Sequence, residues 1–145
     1  MATSYMKLPY EERVLRPDSL RRLRLPGGEV GFSLDVRLNY YRGMPLSAIE
    51  RLELHLDGER VPDHLILVGL REKLFPPEQV PLAFSEHWPI KGSLRLHVYN
   101  GGIASGEHDV ELVLHVRNVY MQFAPGVWGM IDSSASRRLV LGEAV

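Results

Sequence analysis

Residues 30–38, Val-Gly-Phe-Ser-Leu-Asp-Val-Arg-Leu, place an apolar side chain at every second position: Val30, Phe32, Leu34, Val36 and Leu38. Successive side chains of an extended chain point to opposite faces. This run therefore has one dry face and one wet face, the latter carrying Gly31, Ser33, Asp35 and Arg37. The same period returns three times. Leu94, Leu96 and Val98 alternate with Arg95, His97 and Tyr99. Val110, Leu112, Leu114 and Val116 alternate with Glu111, Val113, His115 and Arg117. Leu52, Leu54 and Leu56 alternate with Glu53, His55 and Asp57. Such runs are half-buried antiparallel strands.

Turn chemistry lies between them. Pro26-Gly27-Gly28 separates a first strand, about Leu20 to Leu25, from the run at Val30. Asp57-Gly58 is a two-residue hairpin signal, and Asn100-Gly101-Gly102 opens a loop that runs to Gly106. Pro76-Pro77 and Pro81 break the middle of the chain. The pattern predicts one all-β domain over residues 1–145, an antiparallel β-sandwich of jelly-roll or immunoglobulin-like type with at most one or two short helical turns. Residues 1–18 read as a lead-in and 124–145 as a C-terminal tail with room for a closing strand. Ser47-Ala48-Ile49-Glu50 matches a capping box, so one helical turn is expected near Ser47, followed by the strand through Leu52. Leu70 to Leu74 is a candidate for a second short helical piece.

Composition sets outer limits. A domain of 145 residues buries roughly 70% of the surface of its unfolded chain, enough for a core without staples. The absence of cysteine removes disulfides and thiolate metal sites and favours a cytoplasmic setting. The opening MATSYMKLPYEER lacks the apolar segment of a secretory signal, and no run reaches the roughly 18 apolar residues of a membrane span. A net charge of −1 gives no basic footprint for nucleic acid, so neither nucleic acid nor membrane is an expected partner. Arg21, Arg22 and Arg24, like Arg137 and Arg138, read as solvated strand faces or salt-bridge partners.

Catalytic patterns are missing. There is no G-x-S-x-G elbow, P-loop or H-E-x-x-H helix, and no H-x-H pair of the cupin kind. His97 and His115 sit on wet faces and would approach one another if their strands paired, which falls short of the three or four ligands a metal needs. The residues alone thus predict no catalytic, cofactor or metal site. What stands out is the surplus of aromatic residues off the strand cores: Tyr40, Tyr41, Trp88, Tyr99, Tyr120, Phe123 and Trp128. Aromatic residues, Met and Arg concentrate in the centres of protein–protein interfaces. On residues alone, a free-standing carbohydrate-binding sandwich and a small cupin-like metalloprotein remain alternatives to a member of an assembly.

The connection from Asn39 to Pro62 narrows the choice. Tyr40-Tyr41-Arg42-Gly43-Met44-Pro45-Leu46-Ser47 resembles the Y-R-G-x-P-L-S segment of the small (β) subunit of bacterial C-glycoside deglycosidases. Asp57-Gly58-Glu59 with Val61-Pro62 resembles that family's D-G-x-x-V-P hairpin. Trp88, the strand from Leu94 to Val98, Gly106-Glu107-His108-Asp109-Val110 and the R-x-x-Y of Arg117 to Tyr120 are also similar. The likeness covers roughly residues 20 to 125, rests on order and spacing, and is weakest after Phe123.

The resemblance implies a heteromeric carbon–carbon lyase. Its TIM-barrel α subunit would carry a divalent metal, manganese by family habit, together with the acid–base residues. The substrate would be a 3-oxo-C-glycoside reached only through the complex. This chain would be a non-catalytic β subunit that stabilises the α subunit and shapes its active-site entrance. Its expected contact residues are Tyr40, Tyr41, Arg42, Gly43, Met44 and Pro45, with Trp88, His108 and Trp128.

Overall fold

The alternating runs become two facing sheets. A computed structural model describes residues 5–144; the first four residues of the lead-in and Val145 of the tail lie outside the described residues. In chain order the strands are β1 (Tyr5–Met6), β2 (Leu20–Leu25), β3 (Gly28–Val36), β4 (Met44–Pro45), β5 (Ile49–Leu56), β6 (Glu59–Arg60), β7 (Ile66–Leu70), β8 (Lys73–Phe75), β9 (His87–Trp88), β10 (Leu94–Val98), β11 (Glu107–Ala124), β12 (Val127–Asp132) and β13 (Ala135–Val140).

One sheet runs β2-β3-β10-β7-β8. The other runs β1-β12-β11-β5-β6, with β13 also paired to β11. Strand β11 is long enough to hold β13 along its first half and β12 along its second. The short ladder of β4 with β9 stands apart from both sheets. Strand β1 pairs with β12 in parallel, and the other strand pairs are antiparallel.

Register aligns the dry faces. Leu96 sits opposite Leu34 on one side and Val68 on the other, while Leu112 sits opposite Leu54 and Ala135. A one-residue slip would turn either set towards water, so the core itself fixes the register. Phe32, Leu34, Val36, Leu96 and Val98 from one sheet meet Leu54, Leu112, Leu114, Val116 and Ile131 from the other, all buried. The result is an all-β sandwich.

The irregular parts depart from the sequence reading in instructive ways. The Asp57-Gly58 turn forms as expected, with both residues at positive φ (51° and 85°). A turn of 3-10 helix covers Leu46–Ala48 and leads straight into β5, but no side-chain cap bond forms, because Pro45 rather than Ser47 holds the cap position. Leu70 to Leu74 is not helical. Strand β7 ends at Leu70, Arg71 takes φ 59° in a tight turn, and β8 returns from Lys73. The helical piece falls further on, at Pro77–Leu82, where Pro77 presets the first helical φ.

Residues 124–145 hold all of β12 as well as β13, two strands where the sequence offered room for one. The lead-in is also anchored: Val14 and Leu15 at the end of helix α1 (Glu11–Val14) are buried, and the Val14 carbonyl accepts from the Arg37 backbone N–H. His97 and His115 do not approach, since β10 and β11 belong to opposite sheets. The clustered arginines pair with acids except Arg137: Arg21 with Asp18, Arg22 and Arg24 with Glu29, and Arg138 with Glu107 and Asp109, whereas Arg137 donates to the Leu15 carbonyl.

Candidate functional site

The chain leaves β3 into a connection whose root is held by buried polar groups. The Asn39 backbone N–H donates to Ser133 Oγ at 2.7 Å, and its Nδ2 donates to the Leu8 carbonyl at 2.9 Å. Asn118 Nδ2 donates to Tyr40 Oη at 2.9 Å from the interior of β11. Asn39, Asn118 and Ser133 are buried, so the Asn39–Ser133 and Asn118–Tyr40 bonds are made away from water. Burial, with Tyr41 beside it, pushes the Tyr40 phenol up and keeps it neutral.

The next residues are clamped from below. A Cβ on Gly43 would lie 2.6 Å from His87 Nε2 and 2.7 Å from the Trp88 carbonyl, so only glycine passes there. Met44 and Pro45 then pair with Trp88 and His87 in the β4–β9 ladder. The Trp88 indole is wholly buried, and its Nε1–H donates to the Gly92 carbonyl at 3.0 Å.

Above this rigid base the chain presents a cationic, aromatic surface. Tyr41 is 66% exposed. The Arg42 guanidinium lies 3.7 Å from the centre of the Tyr120 ring, and the Tyr120 hydroxyl donates to the Gly43 carbonyl at 3.1 Å. Strand β11 alternates buried and wetter residues as far as Asn118, then loses its cover. Tyr120, Gln122, Phe123 and Ala124 are all exposed, Phe123 at 58%. The β11–β12 hairpin thus overruns the sandwich beside the Tyr41-Arg42 loop. Across that hairpin Trp128 lies 5.9 Å from the Arg117 guanidinium, which also pairs with Glu50.

Of the nine expected contact residues, Tyr41 and Arg42 are exposed, and Gly43, Pro45 and Trp128 are half-buried. Tyr40, Met44, Trp88 and His108 are buried within the chain and present almost no surface to a partner. Tyr40, Met44 and Trp88 lie beneath the exposed loop, whereas His108 sits at the far end of β11, against Asp57 and the Ala104 carbonyl.

A family model described as C-glycoside deglycosidase beta subunit matches residues 10–120, a span that takes in this loop, Asn39, Asn118 and Tyr120. The chain belongs to that family. Among curated proteins it is 29% identical over 113 residues, 77% of each chain, to the C-glycoside deglycosidase beta subunit of Eubacterium cellulosolvens. It is 23% identical over 128 residues, 88% of this chain and 93% of the relative, to a 3'-dehydrocarminate deglycosidase beta subunit from a Microbacterium species. A C-glycoside deglycosidase beta subunit from Arthrobacter globiformis is 27% identical over 113 residues, covering 77% of this chain and 86% of the relative. Phe123 and Trp128 lie beyond the span that the family model matches.

His108 shows why a titratable residue in this family member need not be catalytic. Its Nδ1 is 2.6 Å from Asp57 Oδ2 and its Nε2 is 2.6 Å from the Ala104 carbonyl. Both neighbours accept, so both ring nitrogens donate and the ring is an imidazolium. Burial alone would lower its pKa, but the Asp57 carboxylate and the Ala104 carbonyl outweigh burial and raise it. The His108 side chain and the Asp109 backbone N–H lower the Asp57 pKa in turn. The pair ties the 101–106 loop to the Asp57-Gly58 turn.

A raised imidazolium contributes stability that is complete below its unfolded pKa of about 6.5 and is lost as pH rises through the folded value. Asp57 contributes above its own ordinary value and loses that contribution in acid. His108→Gln should therefore lower the urea midpoint most near pH 6, with the gap to wild type closing as pH rises through the raised folded value. A gap that widens over that range would mean a neutral ring.

The remaining histidines form no centre, and among the described residues no three His, Asp or Glu side chains gather closely enough to hold a metal ion. Burial, then the nearby Arg95 charge, lowers the His97 pKa and leaves it a neutral ring stacked on Tyr99 at 6.5 Å. Asn118 escaped the sequence reading, although a signal existed. It continues the parity of Val110, Leu112, Leu114 and Val116, and so sits as a polar residue on the dry face.

Proposed function

We propose that this chain is the non-catalytic β subunit of a heteromeric C-glycoside deglycosidase, with its Tyr41–Arg42 loop and the β11–β12 hairpin set against a larger TIM-barrel α subunit. The observation that carries this reading is the exposed Tyr41-Arg42-Tyr120-Phe123 surface on a member of this family. Aromatic rings and arginine are the residues that dominate binding energy when water is excluded around them. Buried hydrogen bonds at Asn39, Tyr40 and Asn118 pre-order the loop, so little entropy remains to be lost on docking.

The reaction proposed for the complex is elimination from a 3-oxo-C-glycoside. The C3 ketone acidifies the hydrogen on C2, and a base removes it to give an enolate. As the ketone re-forms, the electron pair closes a C1–C2 double bond, the C1–aglycone bond breaks, and the aglycone carbon takes a proton. The products are a sugar enone and the free aglycone, with no net oxidation. Acid–base groups tuned for both proton transfers belong to the α subunit in this reading. So does the divalent metal, manganese in the reading from resemblance. The β subunit contributes apolar burial, on the order of 800 Å² on its side, and a fixed wall at the entrance.

Co-expression with a candidate TIM-barrel α chain from the same organism tests the proposal. The two chains should elute as one species, and the α chain without this one should lose stability and most of its turnover of a 3-oxo-C-glycoside. Separate elution, with α-chain activity indifferent to this chain, would overturn the reading.

A further inference from the structure

On the other side of Tyr41 the loop borders a cleft of about 840 Å³ that shares only Tyr40 and Tyr41 with the interface reading. Five cations line it, Arg13, Arg16, Arg37, Lys91 and Arg137, against one acid, Glu12. They come from separate parts of the chain: the α1 segment, the exit of β3, the loop after β9, and β13. Elsewhere Arg22, Arg95, Arg117 and Arg138 each hold a carboxylate. Among the described residues, no carboxylate pairs with any of the cleft five.

Two of the five are held in position. Arg137 Nη1 donates to the Leu15 carbonyl at 2.8 Å, and Arg13 lies 4.5 Å from the centre of the Tyr10 ring. Arg37 Nε is buried and has no hydrogen-bond acceptor among the described residues. A buried donor without an acceptor is costly and rare in native proteins. The rest of the lining is apolar: Tyr41, Pro17 and Ile90 present the surface, and the buried Leu38 and Tyr40, its ring centroid 4.3 Å from that of Tyr41, lie behind them.

We propose that this cleft is a binding site for an aromatic carboxylate. Guanidinium groups match a carboxylate in planar, two-pronged geometry, and like charges crowded without acids favour an anion. Phosphate would use the charge and leave the apolar lining unfilled. An aromatic body fills it, with one face on Tyr41. The volume is that of an ordinary small-molecule site. Binding needs only this chain, so it stands or falls separately from assembly with an α subunit.

Calorimetric titration of the full chain with naphthoate is the test, run alone and again on the co-purified complex. One saturable site is expected, with naphthylmethanol, which keeps the ring and lacks the charge, weaker by at least about tenfold. Arg37→Gln and Lys91→Gln should each weaken naphthoate several-fold, whereas Arg24→Gln, on the sheet edge at β2, should leave it unchanged. Lys91 and Tyr41 are exposed, so Lys91→Gln and Tyr41→Ala keep the test valid if Arg37→Gln does not fold.

Four results would overturn the proposal: no saturable binding, an equal loss from Arg24→Gln, inorganic phosphate binding as tightly as naphthoate, or naphthylmethanol binding equally well. A glutamate-rich peptide that displaces naphthoate at lower concentration than naphthoate itself binds would also overturn it, in favour of an acidic protein segment.

Discussion

Trp88→Ala should cost the isolated chain about 3–5 kcal/mol, the range for deleting a large aromatic from a packed interior. The indole is wholly buried and its N–H is satisfied by the Gly92 carbonyl. Its loss would leave a cavity and an unpartnered carbonyl, and would remove the support under the loop. The Trp88 carbonyl sits where a Gly43 Cβ would have to go, and Met44 pairs directly with Trp88. Loss of the indole should therefore loosen Gly43 and Met44 and, through them, Tyr41 and Arg42. A domain of this size has roughly 5–15 kcal/mol of stability, so the variant should unfold at much lower urea and bind the α subunit poorly even when folded. Trp88→Phe should recover part of the stability. An unchanged urea midpoint for Trp88→Ala would mean that the side chain is not in the core.

Trp88 also marks the limit of what the sequence discloses. It stands between His87 and Pro89, with no alternating run to say which way it faces, so composition alone suggests an exposed interface aromatic. The strands suffer no such ambiguity. Phe32, Leu34, Leu96, Leu112 and Leu114 are each placed by their neighbours two positions away, and all are buried.

Tyr40 to Pro45 reads as one uniform stretch but divides in space. Tyr40 and Met44 point into the core while Tyr41 and Arg42 point out, because a connection obeys its own hydrogen bonds rather than a period of two. The burial of His108 was decipherable, since it shares the parity of Val110 and Leu112, and that parity puts it on the dry face, where its ring nitrogens need partners. The turn at Arg71 was not, for it reaches positive φ without the glycine or asparagine that usually marks such a position. The cationic cleft was equally hidden. Its five charges are spread between residues 13 and 137, and only the packing of α1 against β13 and the exit of β3 gathers them.

Removing Tyr41 and Arg42 together should have the opposite signature to Trp88→Ala. Tyr41 is mostly solvent-facing, and Arg42 makes an exposed cation–π contact with Tyr120, worth about 0.5–1 kcal/mol at such a site. The double alanine variant should shift the urea midpoint of the isolated chain only slightly. In the complex the same two side chains would be desolvated, where aromatic and arginine truncations cost about 2–4 kcal/mol each at a hot spot. Binding to the α subunit should then weaken by at least about a hundredfold.

Phe123→Ala, on the hairpin tip, should weaken binding less if the loop is the centre of the contact and more if the tip is. That comparison locates the interface along the surface from Tyr41 to Trp128. The decisive contrast is between two measurements on one variant. A large loss of association with little loss of stability places Tyr41 and Arg42 at the subunit contact. Parallel losses would make them ordinary supports of the fold, and undiminished association would move the contact to another face of the sandwich.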